Sequence, residues 1–161
     1  MSNAWARLKT WLARNKAVWM CGALIVAADR ASKNWALSYL QDKDVNFFEY
    51  FRLHYVENTG MAFGLMQNGN LLLIWIMLAV LAYLAYSWKE IASAGALAKW
   101  GALFIFAGAV GNLYDRIKLG FVVDFLDFRV WPVFNIADSF ITVGGVFLAV
   151  SLLFLHPGEE K

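Results

Sequence analysis

Two aspartates in an otherwise oily chain have the chemistry to share a proton. Asp124 lies in Gly120-Phe-Val-Val-Asp124-Phe125, and Asp138 lies in Phe134-Asn135-Ile-Ala137-Asp138-Ser139, at the mouth of a long apolar run. A charged side chain at the centre of a spanning helix costs about 2.5–3.5 kcal/mol on insertion scales, so acids beside an apolar span mark function by default. Two carboxyl groups brought together cannot both ionise easily, and one then serves as acid while the other serves as base. More polar residues gather at the ends of the apolar runs. Asp29 and Lys33 are one helical turn apart and can share a face. Asn58 and Gly60 follow a strand-like stretch, Asn112, Asp115 and Arg116 close one apolar run, and Asn135 opens the next.

Each of these residues also has a plainer role open to it. Asp29–Lys33 is favoured here as a helix-surface ion pair, worth about 0.2–0.5 kcal/mol. Asp115 and Arg116 can simply end a helix, with Arg116 on a lipid phosphate or pinning Asp115. Asn58-Thr-Gly60 can be an ordinary turn. Asn135 can be an N-cap, with Asp138 favourable to the helix dipole in the first turn. Asp127 is expected to be solvated on its loop, and Cys21 to pack against lipid or a neighbouring helix.

The elements that must position these groups follow from composition. The 161 residues are 61% hydrophobic with mean hydropathy +0.54, against about 45–50% apolar in soluble domains. The expectation is one integral membrane domain over residues 1–161. A net charge of +2 implies no nucleic-acid partner. The single cysteine, Cys21, excludes an intramolecular disulfide and a cysteine-based zinc cluster. His54 and His156 stand far apart in sequence, so neither a metal nor a cofactor is expected.

Apolar runs predict four spans, at about 17–40, 71–88, 91–113 and 136–155. Arg7, Lys9, Arg14 and Lys16 precede the first with no acid among them. Basic flanks stay in the cytoplasm, which places both termini there and turns the loops 41–70 and 114–135 outward. The first run is read as an anchor rather than a cleaved leader. Val45 to Val56 and Phe121 to Trp131 are rich in aromatic and β-branched residues, which favour strands. The expected fold is thus mainly α: a four-transmembrane-helix bundle with a small extracytoplasmic β-sheet. On this topology the unusual polar residues collect near the outer membrane surface; Met61, Phe63 and Leu65 are read either as lining the entrance or, at least as readily, as lipid-facing or core residues. A small transporter or proton/cation channel is the rival reading, because intramembrane carboxylates also relay protons. A membrane scaffold presenting its outer loop to a partner is another. Against a transporter, the acids cluster at one surface with none at mid-depth.

Four sequence boxes resemble those of the lipoprotein signal peptidases (signal peptidase II). They are Asp29-Arg30-Ala-Ser32-Lys33, Asn58-Thr-Gly60-Met-Ala62-Phe63, Gly111-Asn112-Leu-Tyr-Asp115-Arg116 with Gly120-Phe-Val-Val-Asp124-Phe125, and Phe134-Asn135-Ile-Ala137-Asp138-Ser139. Arg30 departs from the pattern, which more often has Gln. The resemblance implies an aspartic endopeptidase of the bacterial plasma membrane. Such an enzyme cuts diacylglyceryl-modified prolipoproteins just before the lipidated cysteine. The catalytic pair then falls on Asp124 and Asp138. The supporting positions fall on Asp29, Lys33, Asn58, Gly60, Asn112, Asp115, Arg116, Asn135 and Ala137. The implied partners are lipidated precursors and membrane lipid, and the expected state is a monomer.

Overall fold

The computed structural model describes residue 10 and residues 15–60 and 69–155. Arg7, Lys9, Arg14, Met61, Phe63, Leu65 and His156 lie outside the described residues, as does the last part of the second box.

Helix α1 spans Lys16–Tyr39 and buries Val18, Gly22, Ile25, Asp29, Lys33 and Ala36. Steps of three and four keep these residues on one stripe. The stripe is apolar at its start and charged at Asp29 and Lys33. A hairpin follows, with β1 at Val45–Phe48 and β2 at Phe51–Asn58. Helix α2 spans Asn70–Tyr86 and the short α3 spans Trp88–Ser93. Helix α4 spans Ala96–Lys118, strand β3 spans Val122–Asp127, and α5 spans Ile136–Val150 before a π-helical turn at Ser151–Leu155.

Both stretches expected to be extended contain strands, and β1, β2 and β3 form one antiparallel sheet in that order. Strand β3 stops at Asp127, short of Trp131. Two residues on, Arg129 takes a left-handed backbone (φ 61°) and donates its N–H to Asp127 Oδ1 at 2.7 Å, a local bond that turns the chain out of the strand.

The run expected to span 91–113 is divided differently. Gly95, at φ 117°, breaks it; α4 then starts at Ala96 and continues to Lys118. Asn112, Asp115 and Arg116 therefore lie inside the helix, not beyond its end. Among the described residues two helices, Ala96–Lys118 and Ile136–Phe154, are long and apolar enough to cross a membrane. Helix α2 is apolar but has 17 residues. The apolar run of α1 is interrupted by Asp29, Arg30 and Lys33. The fold is mainly helical with a small antiparallel sheet.

Helix α4 packs against α1, α2 and α5. Its closest approach is to α5. A Cβ on Gly101 would stand 2.8 Å from the Gly144 carbonyl oxygen, and one on Gly144 would stand 2.6 Å from the Gly101 oxygen. Backbone meets backbone there, which only glycine permits. Strand β3 rests on the end of α1 through a cluster of Ala36, Leu40, Val123 and Phe125. Full burial of side chains such as Leu40 and Val123 is worth about 1.5–3 kcal/mol each. This cluster fixes the strand that carries Asp124.

Candidate active site

Strand alternation aims Asp124. Val123 and Phe125 face the α1 cluster, so Val122 and Asp124, on the opposite face, line a cavity of about 850 Å³. Asp138 reaches the same cavity from the first turn of α5. That turn is a capping box: Asp138 N–H donates to Asn135 Oδ1 at 2.9 Å, and Asn135 N–H donates to Asp138 Oδ2 at 3.2 Å. The N-cap role expected for Asn135 is present.

Three asparagines tie the two carboxylates together. Asn135 Nδ2 donates to Asp124 Oδ1 at 2.7 Å, and Asn58 Nδ2 donates to Asp124 Oδ2 at 2.8 Å. Asn112 Nδ2 donates to Asp138 Oδ1 at 2.7 Å. Asn135 Nδ2 also lies 3.2 Å from Asn112 Oδ1 and 3.3 Å from the Val123 carbonyl oxygen. Asp124 is 1% exposed. Burial foremost, and then the charge of Asp138, holds its carboxyl well above the usual carboxylate range, against the lowering pull of the Asn58 and Asn135 hydrogen bonds and the Lys33 charge. A buried carboxyl beside a second one tends to keep its proton at neutral pH.

Behind this layer lies a charged one. Lys33 Nζ contacts Asp29 Oδ2 at 2.9 Å, Asp115 Oδ2 at 3.0 Å and Asn112 Oδ1 at 2.7 Å. The Asp29–Lys33 pair forms as expected, but it is not on a helix surface: Lys33 is fully buried and Asp29 nearly so. Burial of lone charges is expensive, and the cluster answers with balance. Asp115 Oδ1 takes Arg30 Nη1 at 2.5 Å, so two acids meet two bases. The acids also hold backbone. Asp29 Oδ1 accepts from Ala137 N–H at 3.0 Å, and Asp115 Oδ2 accepts from Val123 N–H at 3.3 Å. Each bond grips the residue next to a cavity aspartate. Gly111 leaves room for Asp29, whose carboxylate would collide with any Cβ there.

Arg116 neither ends a helix in solvent nor pins Asp115. It donates to the Gly60 carbonyl oxygen at 2.6 Å and to Asn70 Oδ1 at 3.2 Å. Asp127 is not solvated but buried, with Arg52 Nε donating to it at 2.6 Å. Arg52 also pairs with Asp44, which meets His54 Nδ1 at 2.7 Å. The site residues named from sequence thus fall into one connected group. Sequence reasoning missed Arg30 and Asn70 as members. Arg30 could have been found by charge balance, since Asp29 and Asp115 outnumber Lys33. Asn70 carried no signal beyond opening an apolar run.

The cavity has a polar end, formed by Asn58, Asn112, Arg116 and the two aspartates, and an apolar wall that includes Val122, Phe128, Trp131, Phe134 and Ile141. Such a site suits a ligand with a polar reacting centre attached to a hydrocarbon.

Comparison with known proteins gives a consistent answer. The family model described as signal peptidase (SPase) II matches residues 21–154. The lipoprotein signal peptidase of Clostridioides difficile (strain 630) is 42% identical over 139 residues, covering 83% of this chain and 92% of that protein. The lipoprotein signal peptidase of Syntrophomonas wolfei is 41% identical over 146 residues, covering 89% and 97%. Among solved structures, a bacterial membrane enzyme determined by the in meso method at 2.3 Å superposes with a TM-score of 0.80 at 24% identity, covering 91% of this chain and 92% of that one. A second, determined at 1.9 Å, gives 0.75 at 25% identity, covering 86% and 94%.

Proposed function

The chain belongs to the signal peptidase II family, and from that premise we propose that Asp124 and Asp138 are the proton-sharing pair of a membrane aspartic endopeptidase that removes signal peptides from prolipoproteins. The observation that carries this reading is the pair of carboxyl groups at the polar end of one cavity, held by Asn58, Asn112 and Asn135. With one proton between them, the ionised partner takes a proton from water as the oxygen attacks the scissile carbonyl carbon. The protonated partner donates to the carbonyl oxygen. Collapse of the tetrahedral intermediate breaks the C–N bond: the leaving amine takes a proton from one carboxyl while a hydroxyl of the intermediate returns its proton to the other, which restores the single shared proton. The two groups titrate as a unit.

The substrate is a precursor whose cysteine carries diacylglycerol, cut on the N-terminal side of that cysteine. Its acyl chains lie along the apolar wall and the adjoining lipid, and Arg116, Asn58 and Gly60 border the peptide. The enzyme acts as a monomer in the bacterial plasma membrane. The chain crosses four times, with α2 as the short span: 17 residues reach about 26 Å, against a hydrocarbon core of about 30 Å. Both termini are cytoplasmic and the aspartates sit near the outer surface.

The test is cleavage by purified protein of a diacylated precursor and its unmodified twin. Only the first is expected to be cut, and Asp124→Asn or Asp138→Asn is expected to abolish cutting while the protein stays folded. Near-normal turnover by either variant, or equal cutting of both precursors, defeats the reading.

A further inference from the structure

Lys33 is fully buried, and its ammonium can only donate. Two of its three partners, Asp29 and Asp115, balance its charge. The third, Asn112, balances nothing. A carboxamide accepts at one end and donates at the other. With Asn112 Oδ1 held by Lys33 at 2.7 Å, and by Asn135 Nδ2 at 3.2 Å, the Nδ2 end is turned to Asp138 Oδ1 at 2.7 Å.

We propose that Lys33 is a positioning residue for peptide cleavage: its ammonium locks the side-chain amide of Asn112 in the orientation that donates to Asp138. The proposal rests on the assignment of Asp124 and Asp138 as the reacting pair. The neighbouring asparagines show why a lock of this kind is needed. Asn58 is oriented by a backbone donor, Gly60 N–H, at 3.0 Å on its Oδ1. Asn135 is oriented by Asp138 N–H at 2.9 Å on its Oδ1. Asn112 lies within α4, where the helix uses its backbone donors, and among its described bonds the fixed donor is a cation from α1. Helix α1 thus acts on the chemistry through a side chain that does not line the cavity.

Loss of the lock has a defined consequence. A reversed Asn112 presents its oxygen to Asp138, and only a protonated carboxyl can bond to it. The base form of the pair is then disfavoured. Removing the Lys33 charge adds to this, because that charge favours ionisation of Asp124. The other charged groups near the pair are Asp29 and Arg30 on α1 and Asp115 and Arg116 on α4, and these stay in place. The acid limb of the rate–pH profile therefore moves to higher pH.

The experiment is a double-mutant cycle in liposomes on a diacylated precursor, with kcat, KM and the pH profile read separately and folding followed by thermal unfolding. Lys33→Met is expected to lower kcat about 10- to 100-fold, the worth of one hydrogen bond to a charged group. KM stays within about twofold, the mark of an interaction used in the transition state. In an Asn112→Leu background the same change adds less than about twofold, because the amide it acts through is gone. Since Lys33→Met alone unbalances the buried charges, a second comparison sets Asp29→Asn/Lys33→Met against Asp29→Asn. In the double variant Arg30 and Asp115 still cancel, and the same fall in kcat and the same shift of the acid limb are expected. Independent, multiplying effects of Lys33 and Asn112, or a fall in kcat with an unmoved acid limb, overturn the proposal. Such a result beside an inactive Asp138→Asn removes only the role of Lys33; an active Asp138→Asn removes the reacting pair as well.

Discussion

At the scale of single residues, the carboxyl groups of the site are held by different neighbours, asparagines at Asp124 and Asp138 and cations at Asp29 and Asp115. Asp124 is raised by burial and by Asp138, and the proposed mechanism needs one proton on the pair. The second proton therefore leaves only well above the ordinary carboxylate range, near pH 4. With Asp124 pushed up to about 7, cleavage is expected to hold through mildly acid pH and to fall as pH rises past neutral, as a rate–pH profile will show; a rate already halved by pH 5 as pH rises contradicts it. The linkage sign is the same. A folded-state value above the unfolded one means that stability is lost as pH rises between the two. Asp124→Asn removes that loss, so its Tm at pH 8 should equal or exceed that of the parent. Arg30 gives a second residue-scale outcome. Arg30→Gln leaves Asp115 with Lys33 but takes away a charged hydrogen bond, a cost of about 1.5–3 kcal/mol. Lys33→Met, which leaves the buried Asp29 without its cation while Asp115 keeps Arg30, should cost about 3–5 kcal/mol. Denaturant titration of the two variants in detergent orders them.

At the scale of elements, two short segments do the positioning. Strand β3 is held by the apolar cluster on α1 and by Asp115 at Val123 N–H. The start of α5 is held by its capping box and by Asp29 at Ala137 N–H. Its approach to α4 is set by glycine. A Cβ on Gly108 would stand 2.5 Å from the Ala137 carbonyl oxygen and 2.7 Å from an Ile141 side-chain carbon. Gly108→Ala must push the first turn of α5 away from Asn112. Overpacking of this kind costs about 1–3 kcal/mol, and an ångström of misplacement is worth about 100-fold in rate. Gly108→Ala should therefore lower kcat by one to two orders of magnitude although residue 108 does not line the cavity. Gly145→Ala, where a Cβ meets nothing within 4 Å, is the matched control and should be near neutral.

For the whole molecule, the proposed topology puts the sheet and the cavity mouth outside the cell. Val130, 84% exposed beside the cavity, and Ser93, at the end of α3, lie on opposite sides of that arrangement. In a Cys21→Ser background, Val130→Cys should react with a membrane-impermeant maleimide on intact spheroplasts, and Ser93→Cys only after lysis. The reverse pattern inverts the topology. The apolar wall of the cavity carries the matching substrate outcome. Polar replacement at Ile141 should raise KM for a diacylated precursor more than it lowers kcat, since acyl-chain contact is made equally in the ground and transition states.

By itself the sequence determined which residues were candidates for the site and how they are spaced. Asp124 beside a β-rich stretch, Asn135 and Asp138 three apart at the start of an apolar helix, and Asp29 and Lys33 one turn apart are all local patterns. Local patterns are legible because strand alternation, capping and helix periodicity act within a few residues. Only the tertiary structure decided where the charges sit. Asp29–Lys33 reads as a surface pair from spacing, yet it is buried because α4 brings Asp115 and Arg30 completes the balance. Asp127 reads as solvated, yet Arg52 on the neighbouring strand takes it inside. Burial and pairing are set by partners more than 70 positions away, and no window along the chain contains them.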